Sequence, residues 1–176
     1  MATAHDAGAP PARRSRRDGP ADPGRRTVLA GVLLGAGAAA SLVDLFVFHL
    51  ALQWHHFYDR STPAVSITSD AFFHAAAWTA SVWGVFLLLD VRRRGPVPWR
   101  RWTGAVLAGV GAFQLVDGVV DHKLLRIHQV RYDVAALWVY DVAWIGSAVL
   151  VLLAGLVVLR RTRPTATSRR TPRGAR

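Results

Sequence analysis

Two short passages of this 176-residue chain carry the same polar residues at the same intervals. Val43-Asp44, His49, Leu52 and His55 return 73 positions later as Val116-Asp117, His122, Leu125 and His128, each time near the end of a long apolar run. Neutral imidazoles ligate Zn²⁺, Cu²⁺ or iron, and aspartates either join them or hold the second imidazole N–H in place. Both residue types are costly inside a bilayer, where they mark binding sites, proton relays and ion paths. The repeated set therefore points to a transition-metal or haem site. Two other chemistries fit the same residues: Asp–His hydrogen bonds that only fix helix packing, and a proton or ion pathway.

The elements that must position these residues follow from the apolar runs, at about 28–52, 71–91, 102–125 and 134–159. Each can supply the ~20 helical residues that a ~30 Å hydrocarbon core requires. With 52% hydrophobic residues and a mean hydropathy of +0.23, the chain is too apolar for an ordinary small soluble domain. The expected fold is all-α: a polytopic membrane protein with a four-helix transmembrane bundle. The 73-residue repeat divides it into two tandem helical hairpins, about 28–91 and 102–159. An even number of spans per unit makes the repeats parallel, related by an axis along the membrane normal. Gly31 with Gly35, and Gly104 with Ala108, have the small-residue spacing that lets helices approach closely.

The net charge of +11 resembles a nucleic-acid signal until its distribution is seen. Eighteen of the 22 basic residues lie before the first run, between the second and third, or after the fourth. Arginine in alternate segments is what the positive-inside rule demands of a four-span protein with both termini cytoplasmic. Lipid headgroups, not nucleic acid, are the partner this pattern fits, and a membrane-protein partner or a second copy is compatible with it. The other half holds seven aspartates against Arg60, Lys123, Arg126 and Arg131, a field that favours cations. Residues 1–26 and 161–176 are expected as disordered basic cytoplasmic tails flanking a membrane domain at 27–160. Arg25-Arg26 before an apolar stretch imitates an export signal, but the repetition of this span as the third argues that it is retained.

With no cysteine and Met1 as the single methionine, thiolate sites, disulfides and soft thioether ligation drop out. His49, His74 and His122 are the expected metal ligands, with Asp44 and Asp117 as further ligands or orienting partners. Asp70, Asp121 and Asp141 would tune the charge. His55, His56 and His128 are secondary candidates, because Trp54, Phe57 and Tyr58 mark an aromatic belt in which His55 and His56 would face headgroup water. If the helices continue through His56 and His128, α-helical angles put Asp44 with His55 and Asp117 with His128 on one face, Asp121 one turn from Asp117. His49, Gln53 and His56 then fall on another face. Only Asp90 is acidic near the inner ends, so no complete proton wire is visible. Soluble-enzyme motifs are absent, and Ser41, Asp44 and His49 on one helix do not make a triad, so the residues lean away from an enzyme.

Beyond the repeat, one succession is more specific: Asp44, His49, Leu52, Trp54-His55-His56, Asp70, Phe73-His74, Phe113, Val116-Asp117-Gly118, Asp121-His122, Leu125, His128, Val130 and Tyr140-Asp141. It resembles a bacterial family of predicted four-span membrane proteins catalogued as a domain of unknown function, across residues 28–157. The resemblance implies an integral protein of the bacterial plasma membrane with no assigned activity. A glycine would be expected after the first two aspartates, where Leu45 and Ala71 stand, and a further histidine where Lys123 or Gln129 stands. Protonated lysine is a poor ligand, so a site needing a third imidazole on the third span would be altered, while His49, His74 and His122 are untouched. The expectation is thus an outward-facing Asp/His layer that binds Zn, Cu, Fe or haem. A structural or assembly-partner role, and transport, are the alternatives.

Overall fold

The computed structural model describes residues 23–163, and every regular element among them is helical. Most of the two expected tails therefore lies outside the described residues. Four helices, α1 (Pro23–Ala51), α2 (Pro63–Arg94), α3 (Trp99–Leu124) and α4 (Leu137–Arg161), are each long and apolar enough to cross a membrane. Proline at the first position of α2, with the Thr62 hydroxyl accepting from the Val65 N–H, gives that helix a well-formed start.

Backbone approach runs in the order α2, α1, α3, α4. Each outer helix packs its backbone on its hairpin partner, α1 and α3 pack on each other, and no Cα of α2 comes within 8 Å of α3 or α4. Small residues make the central crossing possible. A Cβ at Gly35 would run into the Val106 carbonyl and one at Gly109 into the Val32 carbonyl, so only glycine lets the backbones of α1 and α3 come this near. The outer helices show the inside-out pattern of a lipid environment. Ser66, Ala77, Ser81, Gly84, Ala148 and Gly155 are buried, whereas Phe72, Trp83, Phe86 and Leu150 point outward.

Charge sorts along the helix axes. The described chain ends and the α2–α3 connection lie at one end of the helix array, together with Arg25, Arg26, Arg92, Arg93, Arg94, Arg100, Arg101, Arg160 and Arg161. There Asp90 of α2 binds Arg26 of α1 and, at 3.0 Å, Arg94. The Asp/His residues lie at the other end.

Two features of that end depart from the α-helical extrapolation. First, α1 winds as a π-helix over Ala39–Ala51, and α3 does so over Asp117–Leu124. Winding with i→i+5 hydrogen bonds sets residue i+5 about one turn above residue i, whereas in an α-helix the two point about 140° apart. Second, the helices do not continue through His56 and His128; they stop at Ala51 and Leu124. The stop is the same in both repeats. Leu52 N–H donates to Val47 O (2.8 Å) and Leu125 N–H to Val120 O (2.7 Å), then Trp54 N–H to Phe48 O (2.9 Å) and Ile127 N–H to Asp121 O (3.0 Å). Between these bonds Gln53 and Arg126 adopt left-handed φ values of 50° and 52°, reversing the chain as helix-ending residues do. The separation of the aspartates and histidines onto two faces is therefore replaced by a different geometry.

Candidate metal centre

The wide winding brings Asp44 under His49, and Asp117 under His122. Asp44 Oδ2 lies 3.4 Å from His49 Nε2, and Asp117 Oδ2 lies 3.1 Å from His122 Nε2. The chain reversals then fold the following loops back over the helix ends, carrying His55 and His128 inward. His55 Nε2 is 3.6 Å from Asp44 Oδ1, and His128 Nε2 is 3.3 Å from Asp117 Oδ1. Each repeat thus builds one carboxylate facing two imidazoles, each oxygen to its own ring. All six side chains are buried, with no residue more than 3% exposed. His55 does not face headgroup water.

The rings pack against one another. His55 and His128 stack with centroids 4.8 Å apart and planes 6° from parallel, and His49 and His122 stand edge-on to them at 4.6 Å. The Nε2 atoms of all four histidines are buried and have no hydrogen-bond partner among the described residues. Ligand-capable atoms come within 4.8 Å of one another in two overlapping groups: Asp44, His49 and His55, and His55, His122 and His128.

On the far side of the rings the nitrogens are tied down. His55 Nδ1 donates to the Val130 carbonyl (2.9 Å) and His128 Nδ1 to the Phe57 carbonyl (2.9 Å), so each loop is bonded to the other across the repeat axis. Phe57 and Val130 are themselves 73 residues apart. His49 Nδ1 donates to Asp70 Oδ1 at 2.8 Å. A carbonyl or carboxylate can only accept, so Nδ1 carries a proton in these three rings, and in its neutral form each imidazole turns its Nε2 lone pair inward. His122 differs, since its Nδ1 has no partner among the described residues.

The surroundings break the symmetry further. Asp70 on α2 accepts from His49, from His56 Nδ1 (2.6 Å) and from the Phe57 N–H (2.7 Å), locking the first loop onto its helix. The second repeat has no such carboxylate. Instead Lys123 pairs with Asp141 (2.6 Å) and donates to Gln129 (2.8 Å), to the side of the rings. Asp121 is half-buried and within electrostatic reach of Asp117, His122 and His128. His74 stands apart from the cluster. Its ring stacks on Trp78 and its Nε2 accepts from that indole, although it shares a cavity with His49, His56 and Asp70.

Of the residues singled out from the sequence, Asp44, Asp117, His49, His55, His122 and His128 come together. Asp70 and His56 sit directly behind them, Asp121 beside them, and Asp141 with Lys123 at the edge. The two carbonyl acceptors were not foreseen. The repeat carries their signal, since each follows its histidine's counterpart by two residues.

Two loop histidines differ in how they titrate. Burial pushes the His55 imidazole below its ordinary pKa, with His128 adding to the effect, and the Asp44 carboxylate does not make up the difference. Burial works the same way on His128, but the Asp117 carboxylate and the Phe57 carbonyl overcome it and raise that pKa. A cavity of about 660 Å³, lined by His55, His56, Asp59, Arg131 and Asp133 among others, opens above the cluster at the loop end.

Comparison with known proteins adds a family. The sequence pattern of a family described as "Predicted membrane protein (DUF2243)" matches residues 30–162. No curated protein and no solved structure matches the chain.

Proposed function

The chain belongs to the DUF2243 family of predicted membrane proteins of unknown function, and from that premise we propose that it binds a divalent first-row transition metal in its Asp/His cluster. One observation carries the proposal: three of the four inward imidazoles spend their Nδ1 proton on an outer acceptor and aim a buried, unpartnered Nε2 at a carboxylate oxygen. A lone pair facing a carboxylate repels it unless a cation lies between them.

Distances separate a metal from a proton in that role. Where this protein makes charge-assisted His–Asp hydrogen bonds, at Asp70, they measure 2.8 and 2.6 Å. The four Nε2–carboxylate separations are longer, 3.1 to 3.6 Å. Metal–nitrogen and metal–oxygen bonds of about 2.0–2.2 Å, meeting at 90–110°, put neighbouring ligand atoms about 2.9–3.5 Å apart. Three of the four separations fall in that range and the fourth, His55 to Asp44 at 3.6 Å, lies just beyond it, which supports a metal between them. Its mutually stacked rings provide no flat slot between nitrogens for a macrocycle, which favours a bare ion over haem. An all-N/O donor set suits Zn²⁺, Cu²⁺ or Fe²⁺.

By the positive-inside rule the arginine-rich end faces the cytoplasm of a bacterial cell, and the cluster with its open cavity lies near the opposite surface of the plasma membrane. The protein would then take its metal from outside. The test is elemental analysis by mass spectrometry, with a visible spectrum, of the parent and a His49→Ala/His122→Ala variant purified in mild detergent. The parent is expected to carry metal and no Soret band, and the variant to lose the metal. Metal-free parent protein defeats the proposal. A variant that melts earlier with its metal content unchanged would assign these residues to helix packing instead.

A further inference from the structure

We infer that the cluster is a dinuclear centre holding two metal ions, one on the Asp, His, His set of each repeat; the inference rests on the metal-binding reading of the same residues. Asp44, His49 and His55, whose ligand atoms come within 4.8 Å of one another, form one set; Asp117, His122 and His128 are the corresponding residues of the other, each histidine facing its own Asp117 oxygen. In both, Oδ2 faces the histidine five residues on and Oδ1 the histidine eleven residues on.

A single ion on either close grouping leaves at least one inward nitrogen unengaged. The second grouping of close ligand atoms, His55 with His122 and His128, would suit one ion with three imidazoles. It would leave His49 Nε2 and Asp44 Oδ1, both buried, without a partner. An imidazole Nε2 has one lone pair and ligates one metal, so His55 cannot be shared between that ion and Asp44's. Two ions, each on its own repeat, engage every inward nitrogen.

Charge agrees. Asp44, Asp117 and Asp70 are buried, and Asp121 is half-buried within reach of the same rings. The lysine near them, Lys123, is engaged by Asp141. Four carboxylates in a low-dielectric layer carry a large desolvation penalty. Two divalent ions balance four negative charges, and one leaves half of them.

The two sites are unequal. His49 is oriented by Asp70, whereas His122 Nδ1 has no acceptor among the described residues. Loss of such an orienting carboxylate typically weakens metal affinity 10–100-fold. The site of the first repeat fills first.

The full chain in mild detergent, stripped with chelator, is titrated with Co²⁺ alone, and bound cobalt is counted after desalting. Two equivalents per chain in the parent, the tighter about 10–100-fold stronger, support the inference. So does one remaining equivalent in each of Asp44→Asn/His49→Ala and Asp117→Asn/His122→Ala, the tight one surviving in the latter. One equivalent in the parent overturns the dinuclear centre while leaving metal binding intact. No cobalt in the parent removes the metal-binding reading and this inference with it. The parent stoichiometry decides the matter even where a variant fails to fold.

Discussion

Asp70→Asn is expected to weaken metal binding 10–100-fold and to cost about 1–3 kcal/mol of stability. Asp70 is 6% exposed and accepts three hydrogen bonds, from His49 Nδ1, His56 Nδ1 and the Phe57 N–H. An amide of the same shape keeps one acceptor oxygen and points an NH₂ group at a donor. At least one buried N–H is then left unpaired, and the His49 ring loses the contact that fixes its tautomer. The comparison is Asp141→Asn. That carboxylate pairs with Lys123 in a half-exposed setting, where an ion pair is worth at most about 1 kcal/mol. Cobalt affinity and thermal unfolding followed by circular dichroism read both effects. Equal affinities in the two variants would mean that Asp70 does not orient a ligand.

Chelation should lower the unfolding midpoint of the metal-loaded parent by roughly 8–16 °C. A ligand at a thousandfold excess over its Kd stabilises the folded state by about 4 kcal/mol, and for a chain of this size each kcal/mol moves Tm by about 2–4 °C. A His55→Ala/His128→Ala variant should melt at the same temperature with and without chelator. Its midpoint will also fall, because the Val130 and Phe57 carbonyls lose the bonds that tie the two loops together. The diagnostic quantity is the chelator-dependent difference within each protein. A parent whose midpoint ignores chelator would leave the rings as packing elements.

Much of the fold was legible in the order of residues. The apolar runs mark the spans, the 73-residue interval marks the repeat, and alternate arginine segments mark the end opposite the cluster, because bilayer thickness and lipid charge act directly on composition. Asp44 with His49, and Asp117 with His122, were recognisable as repeated pairs, yet an α-helical wheel sets each pair about 140° apart. The π-helical winding at Ala39–Ala51 and Asp117–Leu124 closes that angle, and nothing in the local residue types announces it. His55 and His128 were hidden for a related reason. Beside an aromatic belt they look interfacial; they become central only because left-handed Gln53 and Arg126 turn the chain back over the helix ends. Their backbone acceptors lie 75 and 71 residues away, beyond any helical spacing. His74 shows the converse: an intramembrane histidine one turn from Asp70 whose Nε2 is taken up by its neighbour Trp78.

X-ray absorption at the edge of the metal that co-purifies with the protein tests the central claim most directly. The account predicts a shell of nitrogen and oxygen at about 2.0–2.2 Å, no sulfur, and the outer-shell scattering that imidazole rings produce. A protein that retains no metal, or one whose metal shows no imidazole scattering, would contradict it.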